Sequence, residues 1–280
     1  MKHRWFPLAL ATLSCAPAAL TPPRPPAAPP RGEVSTVGRY DRAIAAGSLW
    51  VDRTGAVYVT DRSRWRVLSY GCTGDSCVLR FELPLDAPGM FLVPGHDGGC
   101  CLADGIGRRL LFYSSQGEPT GALAVAGSAV DAAAIDAAGE VFVLDETLRT
   151  VVVYDRRGDL LRRFPLTGGG RDNPTALAVS RSGGLVAVTG EGSGGTVIYS
   201  GYGRRLAVHP GAARQLAFDA SDRIWSIDKS GRISIRQALH PERGSQWPDS
   251  SVRFAAGAVM AVAATDEAWV AGGGAIQRCR

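Results

Sequence analysis

The sequence predicts an all-β fold, a six-bladed β-propeller of four-stranded blades. Three observations predict it. First, one phrase recurs along the chain: an apolar run, a polar turn, a second apolar run ending in Asp or Gly, a polar loop, then a third run. It reads SLWVDRTGAVYVT at 48–60, AAAIDAAGEVFVL at 132–144, ALAVSRSGGLVAV at 176–188 and QLAFDASDRIWSI at 215–227. Looser copies stand at 90–103 (MFLVPGHDGGCCLA) and 259–271 (VMAVAATDEAWVA). Second, the turn residues of the six copies, Gly55, Gly98, Gly139, Gly183, Asp222 and Asp266, are 43, 41, 44, 39 and 44 residues apart. Such a period, built from short strands, is propeller spacing and not that of a helical solenoid. Third, Gly accounts for 35 of 280 residues, nearly double the usual share, and punctuates runs rich in Val, Ile, Phe, Tyr and Trp. No stretch carries a capped 3.6-residue period.

Taken in order, the chain begins with Lys2, His3 and Arg4, a short apolar run from Trp5 to Leu13 broken by Pro7, and small residues including Ala16 and Ala18. That is the layout of a secretory signal, too short to span a bilayer. Thr12-Leu13-Ser14-Cys15 resembles a bacterial lipobox, which implies lipidation of Cys15; cleavage after Ala18 is the alternative. Residues 21–31, TPPRPPAAPPR, hold six prolines in eleven positions and favour polyproline II. The segment 16–32 therefore reads as a tether reaching roughly 50 Å when extended. The expected organisation is a signal and lipobox at 1–15, the Pro-rich tether at 16–32 and the propeller at 33–280. Residues 33–40 (EVSTVGRY) precede the first copy and read as a lone strand, while the last copy ends after a third strand, GAIQRC. We expect the lone strand to complete the last blade and close the ring, removing an exposed edge.

Segments such as AIDAAGEVFVLDETLRTVVVYDRRGDLLRRF at 134–164 and WVDRTGAVYVTDRSRWRVLSY at 50–70 resemble NHL repeats, over six copies from about residue 40 to 280. The resemblance implies an Asp closing the second strand of each blade and an Arg five residues later. Asp61 with Arg66 and Asp104 with Arg109 match it. Asp145 has Arg149, and Asp228 has Arg232, at a spacing of four; Gly190 and Gly272 replace the Asp.

Chemistry-bearing residues are sparse. Cys72 and Cys77, in GCTGDSC, fall between the third and fourth strands of the first blade and suit a loop-closing disulfide in an exported protein; a C-x4-C metal site is the rival reading, with no His or second Cys pair beside it. Cys100 and Cys101 are adjacent on a strand, so they face opposite sides, as two buried thiols or a vicinal disulfide. Cys279 has no evident partner. His96, His209 and His240 lie in different copies with no shared spacing, unlike the channel histidines that hold a metal in the lyases of this architecture. The single Asn, Asn173, and an isolated Asp131 do not make the carboxylate site of gluconolactonase-like propellers. GSGGT at 192–196 is neither a nucleophile elbow nor a phosphate loop. The expected cofactor is none.

The formal net charge of +5 comes almost wholly from arginines spread along the chain among 26 acids, which argues against a nucleic-acid footprint. The Asp–Arg pairs Asp61–Arg66, Asp104–Arg109, Asp145–Arg149 and Asp228–Arg232 should fall on one rim. There they brace hairpins or, with Arg64 and Trp65, form a docking face. The expectation is a non-enzymatic scaffold of the bacterial cell envelope that binds a protein or glycan and touches the membrane only through its lipid anchor. The alternative is a propeller enzyme, lactonase- or lyase-like, with a metal or cofactor in the central channel.

Overall fold

The computed structural model describes residues 34–39 and 46–279, apart from 74–75, 88, 96–97, 127–128, 168–172, 191–194, 248–253, 255–257, 264–266 and 273–274. Cys15, the tether, His96 and Asp266 lie outside the described residues. Blade 1 is β2 (Ala46–Val51), β3 (Ala56–Asp61), β4 (Arg66–Thr73) and β5 (Ser76–Pro84), preceded in the chain by β1 (Val34–Arg39). Blade 2 is β6 (Phe91–Val93), β7 (Gly99–Asp104), β8 (Arg109–Ser114) and β9 (Pro119–Ala124). Blade 3 is β10 (Ala132–Ile135), β11 (Val141–Asp145), β12 (Thr150–Tyr154) and β13 (Leu160–Pro165). Blade 4 is β14 (Pro174–Val179), β15 (Leu185–Gly190), β16 (Thr196–Ser200) and β17 (Arg205–His209). Blade 5 is β18 (Gln215–Phe218), β19 (Arg223–Ile227), β20 (Ile233–Gln237) and β21 (His240–Trp247).

Blade 6 takes β22 (Val259–Val262), β23 (Ala268–Gly272) and β24 (Ala275–Cys279) from the end of the chain and its fourth strand from β1. The order is β1-β24-β23-β22, with Val34 opposite Cys279 and Arg39 opposite Ala275. The lone strand expected from sequence therefore closes the ring.

The ruler residues of the repeat share one backbone conformation. Gly55, Gly98, Gly139 and Gly183 have φ of 81°, 79°, 82° and 69°, and Asp222 has 56°. Each ends the tight turn between the first and second strands of its blade, where left-handed backbone favours Gly and tolerates Asp. A second periodic strained position follows the second strand. Trp65, Arg108, Arg149 and Gly231 have φ of 48°, 50°, 51° and 80°.

Alternation along the strands divides the apolar residues between the two faces of each blade, and the cores form between blades. The adjacent cysteines of β7 show the division. Cys100 packs with Tyr58 and Leu92 between blades 1 and 2, and Cys101 with Val141 and Tyr154 between blades 2 and 3. Both are buried free thiols, and burial pushes Cys100 up to about 12 and Cys101 up as well, so neither is a nucleophile at neutral pH. Cys72 and Cys77 face each other across β4 and β5 and are disulfide-bonded, as their spacing suggests.

Antiparallel order gives the ring two faces. Turns between first and second strands, and between third and fourth, lie on one, here the turn face. Turns between second and third strands lie on the other, the crossing face, with the passages from blade to blade.

Candidate active site

The first strands of the blades line the central channel. Their ends toward the turn face enclose a cavity of ≈ 120 Å³. Its walls include Leu49, Pro94, Ile135, Ala178, Leu216 and Met260, one residue from each blade, and Ala137, Ala217 and Ala263 keep it open. Neighbouring blades are joined by backbone at this level. Ile135 N donates to Pro94 O at 2.7 Å, and Ala137 N to Arg181 O at 2.9 Å. Gly95 is required where these chains meet, because a Cβ there would come within 1.7 Å of Ile135 O. The charged residues on the lining are Arg53, Asp136, Arg181 and Asp219. Both arginines are exposed, and both aspartates are buried, at 5% exposure for Asp136 and 2% for Asp219.

Three blades start the same turn with Asp, at positions 52, 136 and 219, and in each the Oδ1 atom braces the turn. Asp52 Oδ1 accepts from Thr54 N at 2.8 Å and Ala56 N at 3.0 Å. Asp219 Oδ1 accepts from Ser221 N at 3.0 Å and Arg223 N at 2.8 Å. Asp136 Oδ1 accepts from Glu140 N at 2.8 Å. The second oxygen separates them. Asp219 Oδ2 takes hydrogen bonds from Arg223 Nε at 2.6 Å and Trp225 Nε1 at 2.9 Å. Asp52 Oδ2 has the Tyr58 hydroxyl at 3.5 Å. Those donors stand four and six residues after the Asp. In blade 3 the same places hold Glu140, an acid that pairs with Arg162 at 2.6 Å, and Phe142, which has no donor. Asp136 Oδ2 therefore lacks the side-chain donor found in blades 1 and 5, and only backbone N–H groups, those of Glu140, Ala138 and Gly139, face its carboxylate. It lies against Gly183 of blade 4, where a Cβ would come within 2.3 Å. Burial pushes the Asp136 carboxyl above the usual carboxylate range, and the Glu140 charge adds to this.

The other residues singled out from sequence stand elsewhere. Asp61, Asp104, Asp145 and Asp228 close the second strands of four blades on the crossing face, the opposite end of the ring from the cavity. Arg66 Nε donates to Asp61 Oδ2 at 3.2 Å and Arg109 Nε to Asp104 Oδ2 at 3.0 Å, so these two pairs brace their own hairpins. Asp145 Oδ1 accepts from Leu148 N at 2.9 Å, and Asp228 Oδ1 from Ser230 N at 2.8 Å and the backbone of Arg232 at 3.0 Å. Arg64 and Trp65 are exposed on that same face. Asn173 is exposed, and Asp131 Oδ2 accepts from Glu146 N at 2.7 Å, so neither joins the cavity.

The alternative reading included a metal in the channel; among the described residues it finds no ligand set. No group of three His, Cys, Asp or Glu side chains comes together among the described residues. His209 lies on an outer strand with Nε2 2.8 Å from Ala238 O, and burial holds it below the usual histidine value. His240 is exposed beside Glu242.

No family model matches the chain, and no curated protein does. Solved structures do. A streptogramin B lyase shares 11% identity at a TM-score of 0.61, covering 89% of this chain and 97% of its own. Virginiamycin B lyase from Staphylococcus aureus shares 12% identity at a TM-score of 0.59, covering 88% of this chain and 84% of its own. At such identities the likeness shows the fold. The expectation of a non-enzymatic scaffold is corrected there, since both of these structurally similar propellers are lyases.

Proposed function

We propose that this chain is a propeller enzyme of the lyase class that binds its substrate in the central channel. The observation that carries the reading is Asp136: a buried carboxylate on the cavity lining whose second oxygen lacks the side-chain donor that blades 1 and 5 supply at the same repeat position. A carboxylate in that setting is a stronger base than one in water and suits proton exchange with a bound substrate. The cavity is about the size that takes one benzene-sized group, so the substrate class is an apolar molecule with an aromatic or branched group beside a polar one. Arg53 and Arg181, exposed at the mouth, favour a substrate carrying negative charge. The likeness to two lyases supports the reaction class. The NHL-repeat kinship and an anchor at Cys15 belong to the same proposal and set the enzyme at the cell envelope.

The test uses virginiamycin B as substrate and benzoate as a small apolar anion, with conversion followed by chromatography and binding by calorimetry. Wild-type protein is expected to bind benzoate and convert virginiamycin B. Asp136→Asn is expected to lower the rate at least about a hundredfold, the scale of a lost general base. A wild-type protein that neither binds nor converts any of these, or an Asp136→Asn variant as fast as wild type, overturns the reading.

A further inference from the structure

The channel has a second mouth, on the crossing face, ringed by the first residues of β2, β18 and β22. Two guanidinium groups converge there. Arg62 follows β3, and its side chain folds back over the start of β2: a Cβ on Gly47 would come within 2.7 Å of Arg62 Nε. Arg214 immediately precedes β18. Its backbone N–H donates to Ile227 O at 2.8 Å, and its guanidinium donates to the carbonyl of Ala258, next to the first residue of β22. The strands β2, β22 and β18 belong to successive blades around the ring, so both cations stand over the same opening.

Neither guanidinium has a carboxylate partner among the described residues. The acids at hand are engaged: Asp61 is held by Ser63 and Arg66, and Asp131 by the Glu146 backbone. Arg214 is half-buried, and burial, then the charge of Arg62, holds it below the usual arginine value. Two like charges facing one opening destabilise each other, and a half-buried one has less water to screen it. The arrangement is relieved when an anion lies between them. Guanidinium groups match the paired oxygens of carboxylate and phosphate, which they grip in forks.

We propose that this mouth is an oxyanion-binding site in which Arg62 and Arg214 together hold a carboxylate or phosphate group. It is independent of the reading of the cavity, which lies at the other end of the axis.

The test is melting temperature and calorimetric titration at constant ionic strength in chloride, acetate or inorganic phosphate. Wild-type protein is expected to melt higher in acetate or phosphate than in chloride, and which of the two acts tells a carboxylate ligand from a phosphate. Arg214→Met is expected to melt higher than wild type in chloride and to weaken binding of the active anion at least tenfold. Arg62→Gln, an exposed position, should weaken it similarly and secures the test if Arg214→Met does not fold. The general stabilising action of phosphate is common to all three proteins, so the difference between them is the signal. Equal melting of wild-type protein in the three salts, or equal anion responses in wild type and Arg62→Gln, overturns the proposal.

Discussion

At the scale of single residues, Asp136 is expected to trade stability for function. Its folded pKa is raised, so the fold favours the protonated form, and the contribution is lost as pH rises through the folded value. Asp136→Asn keeps the Oδ1 brace and removes the charge. Its melting temperature should exceed wild type near neutral pH by about 2–4 °C, the shift that about 1 kcal/mol gives in a chain of this size. The gain should vanish below the ordinary carboxylate range, which thermal melts at pH 7 and pH 3 would show. Asp61 behaves in the opposite sense. Burial alone would raise it, but hydrogen bonds from Ser63 and Arg66 hold it low, so its contribution is present at neutral pH and fades as pH falls through the folded value. Trp65 illustrates what sequence could and could not tell. Its alignment with Arg108, Arg149 and Gly231 was visible, but not the left-handed backbone these four share. Trp65→Gly should therefore stabilise by roughly 1 kcal/mol in a denaturant melt, and a loss of stability would show that its half-exposed ring packs usefully. The Asp at 52, 136 and 219 reads from sequence as turn punctuation. The distinguishing signal lies four and six residues later, in Glu140 and Phe142 against Arg223 and Trp225, and it has meaning only once the hairpin folds these positions onto the carboxylate.

At the scale of elements, β1 is the piece whose removal reveals the architecture. Deleting 34–39 exposes the edge of β24 and leaves its backbone groups unpaired, so melting should fall by many degrees. Deleting 16–32 should leave melting unchanged, and a deletion of 34–39 that melts like wild type would mean the ring does not need its latch. The Cys72–Cys77 bond closes a short loop and restrains little of the unfolded chain; Cys72→Ser should cost about 2 kcal/mol or less in a denaturant melt. The strands were legible because each turn residue repeats with the backbone it requires, as at Gly55 and Gly139. Register was not. The register shifts between Ala46 and Leu49 along β2, and at Arg80 of β5 opposite Ser69 and Tyr70, correspond to no signal in the residue pattern.

At the scale of the whole molecule, a ring of six blades makes a site that no one blade contains. The cavity takes a residue from each of them, so its walls are scattered from Leu49 to Ala263, and the sequence offers no motif for it. The repeat drew attention instead to the rim of Asp–Arg pairs, because those residues recur, while the cavity is made by small and apolar residues that look like ordinary strand. The absence of a familiar catalytic constellation then suggested a scaffold, and the two lyases of the same architecture correct that inference. The central claim is that reaction takes place in the channel, and blocking the channel tests it most directly. Ala217 is half-buried on the cavity wall, and Ala217→Phe fills the space. The measurement is the rate of substrate conversion by Ala217→Phe, taken beside the crossing-face variant Trp65→Gly, with both confirmed folded by their melting curves. The account expects Ala217→Phe to lose activity at least about a hundredfold while Trp65→Gly keeps it. A folded Ala217→Phe variant with wild-type activity would contradict it.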